Sequence, residues 1–315
     1  MISSVLYNIF PTALEMAWVR GVAENSPGGV GAALVRAVDP DLRDTLTYSL
    51  TNNAGGRFEI DAASGLVRVA AGAALDFEAQ SSFTIGVRVT DAAGHTRDAS
   101  FVIDLTDVNE TPSGPQQTSG GAVDENAAAG TVVASFAASD PDQNDVIAFS
   151  LADNAGGRFV IDAATGVVTV AEGADLNFEE GASHRIVVRA TDAGGLQRDT
   201  LAVIQVRNVA EAPEDLRIID GGAVTEAAVN GEFVALTRAT DPDLGDRLTY
   251  TLVDSADGRF AIDPATGAIR VADATRLDAD VTSAYAVTVR ATDLTGASVE
   301  RTFSISLTAA NERPT

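Results

Sequence analysis

The sequence predicts an all-β chain of three tandem immunoglobulin-like Greek-key β-sandwiches arranged end to end. Three observations predict it: residues recur at a fixed interval, each interval holds short runs of alternating apolar and polar residues, and turn residues separate the runs. Glu24, Glu125 and Glu226 stand 101 residues apart, as do Asp39, Asp140 and Asp241, and Asp91, Asp192 and Asp293. Pro112, Pro213 and Pro314 close each unit at the same spacing. "NAGGRFEIDAASGLVRVA" from Asn53 returns as "NAGGRFVIDAATGVVTVA" from Asn154 and, more worn, as "SADGRFAIDPATGAIRVA" from Ser255.

Within a unit, Phe83, Ile85, Val87 and Val89 alternate with polar or small residues, the period of a half-buried strand. Phe101, Ile103 and Leu105 do the same after "AAGH", so the two runs read as a hairpin. "RFEIDAASGLVRV" reads as another, with Asp61 opening the turn and Gly65 supplying its positive-φ residue. No helical periodicity stands out. The resulting division is 1–20 as an unassigned leader, then repeats at 21–112, 113–213 and 214–315. The last repeat stops at "NERPT", where a fourth would begin, so a piece of a longer array is expected.

Composition narrows the function. The 315 residues carry 45 acidic and 21 basic side chains, a formal charge of -24, with two histidines and no cysteine. Such acidity argues against nucleic acid or an anionic membrane as partner and is compatible with multivalent cations. Without cysteine there is no disulfide framework, thiol nucleophile or thiolate zinc site. No window approaches the roughly 18 consecutive apolar residues of a spanning helix. Neither histidine repeats, and no P-loop, dinucleotide fingerprint, zinc-helix motif or nucleophile constellation appears, so an enzyme is not expected.

The acidic residues repeat with the domain. "AVDPDLRD", "ASDPDQND" and "ATDPDLGD" each crowd three aspartates into six positions. A Glu stands near each unit's start, a cluster precedes its penultimate strand (Asp76 and Glu78; Asn177 and Glu179; Asp278 and Asp280), and Asp91, Asp192 and Asp293 end that strand. The exits read "DVNETP", "NVAEAP" and "AANERP". Loops of a sandwich cluster at its two ends. Stacking units end to end therefore brings the start, the Asp76/Glu78 loop and the exit of one unit against the Asp-Pro-Asp loop and strand-ending Asp of the next. A carboxylate pair 4 Å apart costs roughly 4 kcal/mol at an effective dielectric of 20, so such a gathering calls for a cation. Calcium, with about six to eight hard oxygen ligands in irregular geometry, suits it better than magnesium. The alternative is turn chemistry, since Asp-Pro opens turns and Asp bonds its own backbone. Asp145 stays open between a ligand and a turn cap, whereas Asp61, Asp162 and Asp263 sit mid-domain in hairpin turns and read as structural.

The order Glu-Asn, Asp-x-Asp, Asp-x-Glu, strand-ending Asp and "DVNETP" resembles the cadherin repeat, particularly its bacterial cadherin-like kind, over about 295 residues. The resemblance implies calcium at each domain junction. At the first junction the implied ligands are Glu24, Asp76, Glu78, Asp107, Asn109, Glu110, Asp140, Asp142 and Asp192. At the second they are Glu125, Asn177, Glu179, Asn208, Glu211, Asp241, Asp243 and Asp293. "DVNETP" is one residue shorter than the family's linker pattern, with Glu110 in place of an Asp, and Asn208 and Ala210 replace Asp107 and Asn109 at the second junction. Fewer or weaker ions are therefore expected there. The resemblance further implies an extracellular or cell-surface segment, stiffened by calcium, that adheres to itself, to another surface protein or to a polysaccharide. A passive spacer and a carbohydrate-binding module are the competing readings. The latter wants an aromatic platform, and the only tryptophan is Trp18.

Overall fold

The computed structural model describes residues 9–310 apart from 42, 43 and 244; the closing residues 311–315, with Pro314, lie outside the described residues. The first domain contains β1 (Ala13–Val19), β2 (Val22–Ala23), β3 (Gly31–Val38), β4 (Thr47–Asn52), β5 (Phe58–Ile60), β6 (Leu66–Val69), β7 (Ser82–Thr90) and β8 (Thr96–Thr106). They form two four-stranded sheets, in the orders β1-β3-β6-β5 and β2-β8-β7-β4. Neighbours are antiparallel except β2, which lies parallel to the end of β8. The other two domains repeat both sheet orders. The one helical element among the described residues is a 3₁₀ turn, Ala274–Arg276.

The expected hairpins form in the expected register. Phe83 faces Ile103 and Ile85 faces Phe101 across β7 and β8. Phe83, Ile85, Val87 and Val89 are all buried, together with Val35 of β3 and Val67 and Val69 of β6 from the facing sheet. Packing the two inner faces together is what removes apolar surface from water. Phe58 faces Val69 across the β5–β6 hairpin. In its turn, Asp61 Oδ1 accepts hydrogen bonds from the amide and hydroxyl of Ser64. Those hydroxyl and amide bonds hold the Asp61 carboxyl below its ordinary value, in keeping with a structural role. Gly65 is required twice over: its φ is +72°, and a Cβ would come within 2.3 Å of the Val35 carbonyl oxygen.

The leader expected at 1–20 does not stand apart in its described part. Ala13–Val19 is the edge strand β1, paired from Ala13 opposite Val38 to Val19 opposite Ala33. Leu14 reaches the core. Pro11, like Pro112 and Pro213, is buried, and it precedes Pro112 by the same interval. The first domain thus opens as the other two do, and residues 13–19 of the expected leader are strand.

One core position differs among the domains. Arg57 stacks over Phe83 at 4.9 Å and Arg259 over Tyr285 at 4.7 Å, aromatic rings at the start of the penultimate strand. The second domain places His184 there, with Nε2 buried and without a hydrogen-bond partner. Burial first, and the nearby Arg158 charge second, hold the imidazole below its ordinary value. A base with a depressed folded value binds fewer protons folded than unfolded, so its cost appears as pH falls through the unfolded value, about 6.5. His184→Phe is expected to raise the melting temperature of the chain more at pH ~5.5 than at pH ~7.5. Equal gains at both pH values, measured by thermal unfolding, would show that the imidazole is not protonated at a cost.

Candidate metal centre

Each domain ties its exit to its start through one glutamate, buried in the first two domains and half-buried in the third. Glu24 is 3% exposed. Its Oε2 accepts the Phe77 amide at 2.7 Å and its Oε1 the Val108 amide at 3.0 Å. Glu125 does the same with Phe178 and Val209, both at 2.7 Å. Glu226 does so with Ala279 and Ala310. Three separate segments are thereby held at one end of the sandwich. The turn that delivers the next carboxylate is capped from within: Asp76 Oδ1 accepts the Ala79 amide, and Asn177 Oδ1 the Glu180 amide. An amide oxygen caps such a turn as a carboxylate does, so Asn177 can stand where Asp76 does.

These bonds bring Glu24, Glu78 and Glu110 together, with one carboxylate oxygen from each lying within 4.8 Å of the others. Glu125, Glu179 and Glu211 repeat the group. A residue absent from the sequence-predicted ligands completes each: Asn25 Nδ2 donates to Glu110 Oε1, and Asn126 Nδ2 to Glu211 Oε1, both at 2.5 Å. Both asparagines have positive φ, 56° and 55°. The repeated Glu-Asn dipeptide was the available signal.

The next domain closes the site. The Glu110 amide donates to Asp142 Oδ2 at 2.8 Å, and the Glu211 amide to Asp243 Oδ2 at 2.8 Å. Asp142 also approaches Glu78 and Asp107 across the first junction, and groups with Asp140 and Asp145 on its own side. Asp140 Oδ1 accepts the Asp142 amide, an Asx turn that aims both side chains. Asp145 answers to both readings: it joins that group, yet Oδ1 accepts the Val146 and Ala193 amides. Asn109 Nδ2 donates to Asp192 Oδ2 at 2.9 Å, again between domains. In the first domain the Ile9 amide donates to Asp41 Oδ2 in the same way, and Asp39, Asp44 and Asp91 form the corresponding group. There His95 Nδ1 meets Asp91 Oδ2 at 2.8 Å, and the Phe10 ring packs on the imidazole at 4.2 Å.

The chemistry of this donor set is that of a hard cation site. Buried carboxylate oxygens normally have partners, yet Glu110 Oε2, Asp140 Oδ2, Asp142 Oδ1, Glu179 Oε2, Asp241 Oδ2 and Asp293 Oδ2 have none. All six belong to the sequence-predicted ligands; Asp39 Oδ2, in the equivalent loop of the first domain, is bare too and was not among them. Bare anionic oxygens at several points around one junction suit calcium. Desolvation, then the charges of Glu24 and Asp107, raise the Glu78 carboxyl above its ordinary value. Desolvation and Asp142 do the same to Asp107, and desolvation and Glu24 to Glu110. Glu179 is raised by desolvation and Glu125. A cation would relieve this crowding. Asp107 and Asn109 themselves are exposed, as is Asn208.

Family comparison agrees with this geometry. The cadherin domain matches residues 20–106, 120–207 and 221–308. The chain belongs to the cadherin family. Human Protocadherin Fat 1 is 30% identical over 288 residues, which cover 86% of this chain and 6% of that protein. The Drosophila melanogaster Protocadherin-like wing polarity protein stan is 32% identical over 266 residues, 79% of this chain and 7% of that protein. The chain thus spans less than a tenth of either relative. Among solved structures, three domains of mouse cadherin-23 (EC22-24) superpose with a TM-score of 0.70 at 24% identity, covering 96% of this cadherin chain and all of that one. Protocadherin Gamma B2 extracellular cadherin domains 1-5 give 0.71 at 19% identity, covering 98% and 62%. At these identities the structures show the shared fold. The two sequence relatives are animal proteins, and the bacterial kind of repeat finds no support in them.

Two outcomes follow for this cadherin segment. Glu125→Ala leaves two amides without their acceptor and is expected to destabilise the second domain by about 3 kcal/mol, even in chelator. Thermal unfolding in EDTA measures it, and an unchanged midpoint would remove Glu125 from its structural role. Separately, the raised carboxyls take up protons at a higher pH than ordinary ones, and calcium needs them deprotonated. Calcium affinity should therefore fall as pH drops from about 7.5 towards 5, near the carboxylate range; calorimetric titration at both ends, giving equal constants, would contradict this.

Proposed function

We propose that this chain is an extracellular or cell-surface adhesion segment in which calcium, bound at the two domain junctions, turns three linked sandwiches into a stiff rod. The observation that carries the reading is the set of partnerless buried carboxylate oxygens on both sides of each junction. At the first junction Glu24, Glu78, Asp107 and Glu110 belong to one domain and its exit, and Asp140, Asp142 and Asp192 to the next. An ion shared between them resists both bending and separation. Small inter-domain contacts alone leave relative motion as the default. Extracellular modules bind calcium with Kd of roughly 10⁻⁴ to 10⁻³ M, so such sites fill outside the cell and not in the cytosol. Residues here bind, orient and space; no catalytic constellation is part of the reading. The partner is a second copy of the segment or another surface molecule, and the rod's function is to present it at a fixed reach.

Each domain's longest strand has 11 residues, or on the order of 36 Å at ~3.3 Å per residue. Small-angle scattering of the three-domain chain should therefore give a maximum dimension on the order of 110–120 Å in millimolar calcium. In chelator the profile should be broader and more flexible. Profiles that coincide in calcium and chelator would overturn the stiffening mechanism.

A further inference from the structure

We propose that the second junction is built unevenly. Its half facing the second domain binds calcium as the first junction does, while its half facing the third domain fills last and empties first. The segment therefore bends at this one place as calcium falls. The inference rests on the reading of the junctions as calcium sites and names the residues that set their order.

The half facing the second domain keeps its three glutamates, and Asn177, in place of Asp76, caps the same turn. Glu125, Glu179 and Glu211 group as Glu24, Glu78 and Glu110 do, and Asn126 holds Glu211 as Asn25 holds Glu110, at the same 2.5 Å. The other half differs. At the first junction the strand-ending Asp192 has Oδ1 on the Leu196 amide and Oδ2 on Asn109 Nδ2. Asn109 fits because residue 194 is glycine: a Cβ there would lie 2.1 Å from Asn109 Oδ1. At the second junction the 101-residue register puts Ala210 in place of Asn109, Thr295 in place of Gly194, and Asn208 in place of Asp107. Thr295 Oγ1 and the Gly296 and Ala297 amides all converge on Asp293 Oδ1. Asp293 Oδ2 is left with no partner although the residue is only 7% exposed. Asp241 Oδ2 is bare as Asp140 Oδ2 is at the first junction, so the difference lies in the linker and the strand-ending carboxylate. The cavity at this point is lined by Asn208, Ala210, Asp243, Gly245, Asp246 and Thr295, where its counterpart at the first junction also has Asp107 and Asn109.

Two losses follow. One anionic linker residue becomes a neutral amide, and calcium affinity depends on the charge count of the ligands. The donor on the second oxygen of the strand-ending carboxylate is missing, and removing such an orienting partner weakens metal binding about 10- to 100-fold. Asn109 and Gly194 also form a coupled pair. An asparagine at 210 cannot take the pose of Asn109 while residue 295 carries a side chain, and its amide must swing away from the strand-ending carboxylate.

The test is calorimetric calcium titration of the full 315-residue chain, with spin-label distances across the second junction followed over the same titration. The wild type should show a weakest class of site whose filling coincides with narrowing of the distance distribution. Ala210→Asn alone should leave that class nearly unchanged. Ala210→Asn with Thr295→Gly should tighten it by about tenfold or more and shift the narrowing to lower calcium. As a control on folding, Gly194→Ala is tolerated by the turn itself, since Ala93 occupies the equivalent place in the first domain. It should create a second weak class, at the first junction. A single uniform affinity in the wild type, no gain in the double variant, or the full gain from Ala210→Asn alone would each overturn the inference. Complete absence of calcium binding would overturn the proposed function itself.

Discussion

The geometry of every domain exit depends on a glutamate that accepts two backbone amides. Glu24, Glu125 and Glu226 tie the loop before the penultimate strand and the outgoing chain to the second strand of their domain. Because both acceptor oxygens serve backbone donors, the tie does not depend on which side chains the loop and exit carry. The exit can drift from "DVNETP" to "NVAEAP" and still leave the sandwich at the same place. What drifts with it is the ion chemistry, which does depend on side chains. The structure therefore separates the placing of the next domain from the strength with which a bound cation would hold it.

Desolvated, crowded carboxylates are unfavourable by themselves, and the values of Glu78, Asp107 and Glu110, raised by desolvation first and by neighbouring charges second, express that cost. The same crowding creates a high local negative potential, which a divalent ion converts from repulsion into attraction between domains. A segment built this way has its lowest cohesion when the ion is absent. Stability within a domain comes from another source: apolar inner faces that contain Phe58, Phe159 and Phe260 at matching positions. Domain integrity and domain alignment thus rest on different physics and respond to different conditions.

Much of this was legible in the sequence. The fixed interval, the alternation at Phe83 to Val89, and the Asp61–Gly65 turn gave the fold and its register, because each reflects a local constraint that recurs unchanged. The acidic groups were legible through their joint recurrence, and the structure brings Glu24, Glu78 and Glu110 together, with Asp107 and Asp142 in reach of Glu78. The start of the first domain was misread. Residues 13–19 are apolar where the equivalent strand of the second domain is polar, "QQTSG", so their pattern did not match. An edge strand tolerates either, since one flank faces solvent, and the surviving signal was the single Pro11. Asn25 and Asn126 stood in the repeated Glu-Asn motif but not among the expected ligands. Their role depends on a contact 85 residues away, which no local pattern displays. Asn109 was read as a ligand, but its dependence on Gly194 is steric and appears only once the domains are packed.

The Ile9, Glu110 and Glu211 amides all donate to an aspartate of the Asp-Pro-Asp loop that follows. Together with the Thr12 amide on the Val38 carbonyl and the Glu24 amide on the Thr106 carbonyl, they fix the chain where it enters and where it leaves a domain, at opposite ends. A pull along the array is then delivered to the edge strand β1 and to the last strand β8, which belong to different sheets and run the length of the sandwich. Load along such strands acts on many ladder bonds at once rather than peeling them singly. The mechanical weak points are accordingly the short segments between domains, where tension would be met by ions before any core is exposed.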